Sequence, residues 1–456
     1  MHIPSTAEPS GVVPPKTSIL VLILCWITIL AEGYDIGIMG TIVPALMNDP
    51  QWRLTPMEIG QLSSAALAGT LIGAYFISPL SDLYGRKKLL IACVILFSVS
   101  MLFAAWAPTP EIFALVRAIG GLGLGGVISV AAALTVEYSP PGRRNLNFAI
   151  MYSGYPIGAV VAALAGIAFM EEYGWHTIVL IGAAPLLIVP ILCYWLPESL
   201  EYLVWKGHTA KAERLSERLG VTLPATTNRN AEVKHPIREI LLEVFSGKNL
   251  RGTICLWSAQ FAAILVVSGL GTWLPQIMRS SGYDLGSSLS FFAVFNLAAA
   301  IGGVVIGRIS DKLGPRKTIS GAFVIGAASI FALSLNNPLW VNYILVALSG
   351  FGSIAAALVL LGYITNYYAP YARASATGWA VGVGRFGAMT GPILGGYVAG
   401  LNVSHLWNFA IFALAAIAAA IAVLATPAGQ TESSPEGSTT PKQAFGSRVP
   451  AGTTGT

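Results

Sequence analysis

The chain has 456 residues, of which 55% are hydrophobic and only 10% are charged, and its mean hydropathy is +0.69. This balance excludes an ordinary soluble protein and is typical of a protein that crosses the lipid bilayer many times. The net charge of +5 does not indicate nucleic-acid binding, because the basic residues lie in short loops between apolar stretches. The four cysteines lack metal-ligand spacing, so we expect neither a metal site nor a cofactor.

The first apolar stretch carries two acidic residues, Glu32 and Asp35, in its middle. A carboxylate inside the membrane costs about 2.5–3.5 kcal/mol, so such residues usually serve a function. A spacing of three residues places both acids on one face of a helix, where they would titrate as a coupled pair. We therefore predict that Glu32 and Asp35 carry protons. The alternative is that a structural arginine neutralises each of them permanently.

Apolar stretches separated by turns and charges continue along the chain and predict about twelve transmembrane helices in an all-α membrane protein. The predicted order is an N-terminal segment (1–17), a six-helix half (18–196), a central loop (197–249), a second six-helix half (250–426) and a tail (427–456). The tail is rich in Ser, Thr, Pro and Gly and is predicted to be disordered. Within the central loop, residues 210–219 predict a short amphipathic surface helix.

The lysines and arginines predict the orientation of the chain. One set of loops, called the basic-loop side below, contains most of them: Arg86, Lys87, Lys88, Arg143, Arg144, Arg308, Lys312, Arg316, Lys317, Arg373 and those of the central loop. The opposite loops contain only Arg53 and Arg279. The positive-inside rule therefore places both termini and the central loop in the cytoplasm, with the protein in the cell membrane.

The two predicted halves repeat one another. Residues 81–88 (SDLYGRKK) return 229 residues later as 310–317 (SDKLGPRK). The same offset relates Gly121, Gly123 and Gly158 to glycines at 350, 352 and 387. Two parallel six-helix halves with a site near the bilayer midplane between them are a common architecture of secondary transporters.

The repeated loops resemble the signature G-x-x-x-D-x-x-G-R-[KR]-[KR] of the major facilitator superfamily. The first copy has Ser78 in place of the leading glycine, and the second has Pro315 before Arg316. Residues 117–123, 391–396 and the run Pro197-Glu198-Ser199 are similar to other signatures of that superfamily. Residues 32–35 (EGYD) resemble the D-G-x-D motif of its aromatic acid:proton symporters, with Glu32 replacing the first Asp. This resemblance implies a monomeric, proton-coupled importer of benzoate, hydroxybenzoates and related acids.

The charges predicted to lie inside the membrane suggest how such an importer would work. Glu32, Asp35, Arg117 and Arg385 sum to zero, so an entering carboxylate is best compensated by one proton on Glu32 or Asp35. We expect Arg385 to bind the substrate carboxylate and Arg117 to pair with Asp35, or the two arginines to exchange these roles. The alternatives are that Arg117 acts in conformational change and that Arg385 is a structural charge.

An aromatic substrate also needs an apolar slot, partly lined by rings. Gln260 and Asn296 are candidates for hydrogen bonding to a hydroxyl group on the substrate ring. The aromatic candidates are Tyr34, Tyr152, Tyr155, Trp257, Phe261, Phe295, Trp379 and Phe386. Most of these aromatic residues are expected to be ordinary packing.

Residues at the helix ends of the basic-loop side are predicted to form a gate rather than a binding site. These are Asp82, Gly85, Arg86, Glu137, Arg143, Asp311, Gly314 and Arg316. The alternative is that the bases only fix the membrane topology.

The alternative functions are a facilitator for a sugar or an aliphatic acid, and a drug-efflux antiporter. The paired acids and Arg385 disfavour a neutral sugar, and an exporter of cations would not need a carboxylate anchor. No nucleophile–base set or phosphate-binding loop predicts an enzyme.

Overall fold

The computed structural model describes residues 13–223, 237–369, 371–401, 403–404 and 406–427. Within these residues all regular structure is helical, which confirms the predicted all-α membrane fold. By length and composition alone, nine of the described helices can cross a bilayer; helices 6, 9 and 11, named below, are not among these nine and complete the two six-helix halves. The predicted tail, apart from its first residue, most of the predicted N-terminal segment and residues 224–236 of the central loop lie outside the described residues.

The first half contains six crossings, named helices 1 to 6. They are Pro15–Leu46, Pro56–Phe76, Arg86–Ala105, Pro110–Glu137, residues 144–173 and residues 175–195. Helices 5 and 6 meet at Gly174, whose φ of 73° bends the chain without a loop. Helix 6 runs on through the turn Ala184–Leu187 into Val189–Trp195.

Short helices of the central region connect the two halves, and six further crossings follow. The connecting helices are Leu200–Trp205, Thr209–Leu219 and Ile237–Phe245, the second of which matches the predicted surface helix. Helices 7 to 12 are Gly247–Ser280, Leu285–Leu313, Pro315–Ala332, residues 339–367, Arg373–Gly400 and Leu406–Ala425. Helix 10 contains a π-helical turn at Phe351–Ala355 between two α-helical parts.

Local sequence determines where several helices begin. Thr55 and Glu58 form a capping box at the start of helix 2: the Thr55 hydroxyl accepts from the Glu58 N–H, and the Glu58 carboxylate accepts from the Thr55 N–H. Thr109 and Asp284 cap helices 4 and 8 through their side-chain oxygens. Proline in the first turn of helices 1, 2, 4 and 9 removes an N–H that would otherwise lack a partner.

The sequence repeat is also a structural repeat. Gly85 and Gly314 precede helices 3 and 9 with nearly the same backbone angles, φ 103° and ψ 144° against φ 85° and ψ 145°. A Cβ on Gly121 would lie 2.2 Å from the carbonyl oxygen of Ala66. The equivalent Cβ on Gly350 would lie 2.0 Å from that of Phe295, which is 229 residues after Ala66. The repeated glycines therefore allow the same close packing of helices in both halves.

Close contacts between the halves are found on the side opposite the basic loops. A Cβ on Gly40 of helix 1 would lie 2.0 Å from the carbonyl oxygen of Gly271 in helix 7. Near the start of helix 2, the Ser64 hydroxyl donates to the carbonyl oxygen of Met389 in helix 11 at 2.7 Å. Nearer the basic-loop side, the Tyr75 hydroxyl lies close to Gly382. Helices of the two halves thus approach backbone to backbone on the side away from the basic loops.

The loop between helices 1 and 2 is held by Asp49. Its carboxylate accepts hydrogen bonds from the Trp175 indole at 2.9 Å, from the Trp52 N–H at 3.0 Å and from the Gln51 N–H at 2.8 Å. Partial burial acts to raise the pKa of Asp49, but these hydrogen bonds outweigh it and lower that pKa below its ordinary value. The ionised form of Asp49 therefore stabilises this loop.

Candidate functional site

A cavity of about 200 Å³ lies between the two halves. Its walls come from helices 1, 2, 4 and 5 of the first half and from helices 7, 8, 10 and 11 of the second, which are equivalent sets in the repeat. Most lining residues are apolar, with a few polar groups among them, as is usual in small-molecule sites. Because pockets for drug-sized ligands measure about 300–1,000 Å³, a cavity of this size suits a smaller molecule.

Asp35 and Arg117 form a buried ion pair beside the cavity. The Arg117 guanidinium donates to the Asp35 carboxylate and, at 3.1 Å, to its backbone carbonyl oxygen. Each side chain is only 1% exposed. The structure therefore contains the pairing that we expected for these two residues, and the charge of Arg117 is compensated within the protein.

Glu32 lies one turn before Asp35 and has a different environment. It is fully buried, and neither carboxylate oxygen has a hydrogen-bond partner among the described residues. Its neighbour Gly33 lines the cavity, and Glu32 is close enough to Arg385 and Asp35 for electrostatic interaction. Because an ionised carboxylate without donors is costly to bury, this environment favours a neutral acid.

Arg385 lines the cavity from the second half. Its guanidinium donates a long hydrogen bond, 3.4 Å, to the Thr70 hydroxyl of helix 2. None of the ion pairs among the described residues includes Arg385, although Glu32 lies within its electrostatic reach. The cavity therefore has one partly exposed guanidinium on its second-half wall and one buried carboxyl group behind its first-half wall.

The polar and aromatic candidates divide into two groups. Tyr152, Tyr155, Phe295, Gln260 and Asn296 line the cavity together with Arg117 and Arg385. The carbonyl oxygen of the Gln260 side chain is buried without a donor among the described residues, so it can accept a hydrogen bond from a ligand.

Five of the predicted substrate-binding residues do not line the cavity: Tyr34, Trp257, Phe261, Trp379 and Phe386. Tyr34 is buried in the first half, where its hydroxyl donates to the carbonyl oxygen of Ile178 at 2.9 Å. Trp257 and Phe261 line a separate apolar groove of about 550 Å³, and Trp379 packs against Trp257. Phe386 is 54% exposed on the outside of helix 11. Adjacent helical residues point about 100° apart, so proximity to Arg385 in sequence did not bring Phe386 to the cavity.

Helix 2 contributes residues that sequence analysis did not select. Ser63, Ala66 and Leu67 line the cavity, and Thr70 contacts Arg385. Their positions follow the helical repeat of three and four residues, so they share one face. Ser63 and Thr70, two polar residues on one face of an apolar helix, were the signal that could have revealed this wall.

A network on the basic-loop side includes three of the predicted gating residues. Arg86 pairs with Glu137 at 2.7 Å and with Glu201 at 3.0 Å. Glu198 accepts from the Lys87 N–H at 2.9 Å, and a Cβ on Gly85 would lie 2.6 Å from its carboxylate. The Pro-Glu-Ser run after helix 6 thus binds the beginning of helix 3.

The remaining predicted gating residues lie outside this network. Asp82, Arg143 and Asp311 are exposed, and no ion pair within the described ranges includes them. Gly314 occupies the position equivalent to Gly85, and Arg316 donates to the carbonyl oxygen of Leu424. The ionic network therefore belongs to the first half, and the second half uses a backbone contact at the matching place.

Comparison with known sequences identifies relatives over most of the chain. The chain is 32% identical to a benzoate transport protein of Acinetobacter baylyi over 417 residues, covering 88% of each protein. It is 32% identical to a gallate transporter of Pseudomonas putida, covering 91% of this chain and 93% of that protein. A gentisate transporter of Corynebacterium glutamicum is 33% identical, covering 88% and 86%.

Solved structures share the fold. A D-xylose–proton symporter superposes with a TM-score of 0.71 at 18% identity, covering 90% of this chain and 98% of the other. A bacterial homologue of the lysosomal transporter Spinster, in an inward-facing conformation, gives 0.69 at 18% identity, covering 91% and 96%. The sequence profile of the Major Facilitator Superfamily matches residues 25–335 and 256–451. The chain therefore belongs to the major facilitator superfamily and is a multi-pass membrane transporter rather than an enzyme.

Proposed function

We propose that this protein is a symporter that imports aromatic monocarboxylates, such as benzoate or hydroxybenzoates, together with protons. Benzoate, gallate and gentisate, the substrates in the names of its relatives, share one chemistry: an aromatic ring that carries a carboxylate. The observation that supports the proposal most directly is Arg385, a guanidinium on the cavity wall without an ion-pair partner among the described residues.

Arg385 is suited to bind the substrate carboxylate. Its planar guanidinium can donate two parallel hydrogen bonds to a carboxylate, which fixes the orientation of the ligand as well as its charge. Arg117 is less suited, because its charge is already compensated by Asp35. The rings of Tyr152 and Tyr155 line the same cavity and can contact the substrate ring.

Glu32 is proposed as the residue that carries the proton. When it is ionised, Arg385 is a countercharge within its reach, so Glu32 and a substrate carboxylate compete for the same guanidinium. A proton on Glu32 removes this competition and compensates the charge of the bound anion. Proton and substrate therefore bind together, which is the thermodynamic requirement for symport.

During transport, the protein would alternate between a conformation closed on the outer side and a conformation closed on the cytoplasmic side. With the basic loops in the cytoplasm, the tight glycine contacts lie on the outer side and close it in this conformation. Arg86, Glu137 and Glu201 then belong to the gate on the cytoplasmic side. Their role is to hold helices 3 and 4 and the central region in one arrangement.

Uptake into proteoliposomes with an imposed pH gradient tests the proposal. Radiolabelled 4-hydroxybenzoate should accumulate when the outside is acidic, whereas a sugar and a cationic dye should not. Protein-free vesicles correct for diffusion of the neutral acid through the lipid. Accumulation of the sugar or the dye instead would identify a different transporter of the same superfamily.

The variant Glu32→Gln tests the proton carrier. Because an amide has no proton to release, this variant should exchange labelled for unlabelled substrate but should not concentrate it against a gradient. Its affinity for 4-hydroxybenzoate should no longer fall as the pH rises. Gradient-driven accumulation equal to that of the parent protein would assign the proton to another group.

A further inference from the structure

Three aromatic rings form a row along one face of helix 5. The ring centroids of Phe148 and Tyr152 are 6.1 Å apart with an interplanar angle of 21°, and those of Tyr152 and Tyr155 are 6.1 Å apart at 18°. Spacings of four and three residues keep all three side chains on the same face of the helix. The rings are thus evenly spaced and nearly parallel.

This row connects the cavity with the basic-loop side. Tyr152 and Tyr155 line the cavity, and both lie within the electrostatic reach of Glu32 and Arg385. Phe148 lies about 6 Å closer to the basic-loop side, at four residues and 1.5 Å per residue. It is 39% exposed, so its ring can be reached from outside the packed helices. The row therefore runs from the cavity, where Arg385 is proposed to bind the carboxylate, to the beginning of helix 5.

We propose that Phe148 provides a second ring-binding position, on the route by which an aromatic acid passes between the central cavity and the basic-loop side. This inference rests on the proposed function, because it needs a substrate with an aromatic ring. Aromatic rings interact favourably at centroid distances of about 4.5–7 Å. A ring that leaves Tyr152 meets Phe148 at a comparable distance and in nearly the same orientation.

The position of Phe148 suits passage rather than tight binding. A ring packed on Phe148 lies one helical turn away from Tyr152, so its carboxylate has moved away from Arg385 and towards the basic-loop side. On the other side of the cavity, the contacts between Gly40 and Gly271 close the route. Phe148 therefore acts on the rate at which substrate enters or leaves the cavity and has little effect on equilibrium affinity.

Variants at Phe148 distinguish the effect of its aromatic ring from the effect of its apolar bulk. Phe148→Leu keeps an apolar side chain but removes the ring, whereas Phe148→Tyr keeps the ring. Phe169→Ala is the matched control, because Phe169 is on the same helix, is 42% exposed and packs against the aromatic Tyr173 at 6.3 Å. Each protein is reconstituted, and the release of preloaded 4-hydroxybenzoate is measured beside its equilibrium affinity.

Phe148→Leu should slow release by about 2- to 10-fold, the change expected for one lost aromatic contact, with an unchanged dissociation constant. Phe148→Tyr and Phe169→Ala should release substrate at the parent rate. Parent-like release by Phe148→Leu, or equal slowing in Phe148→Tyr, would overturn the ring-binding position while leaving the proposed function intact. A parent protein that neither binds nor transports 4-hydroxybenzoate would overturn both.

Discussion

Replacing Arg385 tests how the cavity recognises an anion. Arg385→Ala removes a guanidinium that lines the cavity and leaves the Arg117–Asp35 ion pair on the opposite wall unchanged. Arg385→Lys keeps the positive charge but loses the planar pair of donors. If Arg385 binds the carboxylate, the affinity for benzoate should decrease in the order parent, Lys, Ala.

The structure indicates how much benzoate affinity Arg385→Ala should lose. Breaking a buried, hydrogen-bonded charge pair costs about 2–5 kcal/mol. Arg385 is partly exposed to the cavity, and the contacts of the substrate ring with Tyr152 and Tyr155 would remain. We therefore expect a loss near the lower limit, about 2–3 kcal/mol, which corresponds to about 30- to 160-fold weaker benzoate binding.

Equilibrium binding of benzoate and its neutral amide, benzamide, provides the assay. The parent protein should strongly prefer benzoate, and Arg385→Ala should bind both ligands with similar, weak affinity. Thr70→Ala is the control, because it removes the 3.4 Å hydrogen bond to Arg385 but leaves the charge. We expect it to weaken benzoate binding by less than about threefold, as for one long hydrogen bond.

The comparison of the two ligands can refute the reasoning. If Arg385→Ala still prefers benzoate over benzamide by the parent ratio, Arg385 is a structural charge. Arg117 would then bind the carboxylate, and its pair with Asp35 would have to open during transport.

Three further predictions concern closure, gating and loop stability. Gly40→Val should abolish transport but retain benzoate binding, since its side chain would clash where helices 1 and 7 meet. Gly362→Val should behave as the parent in the same uptake and binding assays, because a Cβ added at Gly362 would have no neighbour within 4 Å among the described residues. Glu137→Gln should slow uptake several-fold at unchanged affinity, because it removes the charge that pairs with Arg86; weaker binding with normal turnover would contradict a gating role. Asp49→Asn should lower the melting temperature by about 1–3 °C at pH 7. Because the pKa of Asp49 is lowered by folding, its contribution is present at neutral pH and is lost as the pH falls through the folded-state pKa. The difference in melting temperature between parent and variant should therefore shrink as the pH is lowered through that range.

The charged residues of the candidate site were evident from the sequence. Four charged residues in apolar stretches could be recognised without a structure, because hydrocarbon tolerates charge only where it is compensated or used. The pairing of Asp35 with Arg117 was among the arrangements that charge balance allowed. The different environment of Glu32, which is buried with no donor in the part of the chain that the structure describes, was not predicted, because Glu32 and Asp35 are equivalent in sequence pattern.

The rotation of each helix about its axis was decided by the tertiary structure. In a soluble helix the polar face marks the side that meets water, so sequence periodicity reveals the buried face. In a membrane helix both the lipid-facing side and the protein-facing side are apolar, and this signal is weak. Phe386 was therefore placed in the cavity although it lies outside, and the helix 2 wall at Ser63 and Thr70 was missed.

Sequence alone thus determined the number of crossings, the two-half repeat and the charged residues, because hydrophobic length and internal repetition are properties of the chain itself. It also placed the glycines that recur at the same offset, although only the structure showed that Gly121 and Gly350 let helices pack on equivalent carbonyl groups. Which side chains meet across the cavity depends on how twelve helices pack against one another. That packing brings Arg385 close to Glu32, and no local pattern along the chain predicts that these two residues are close.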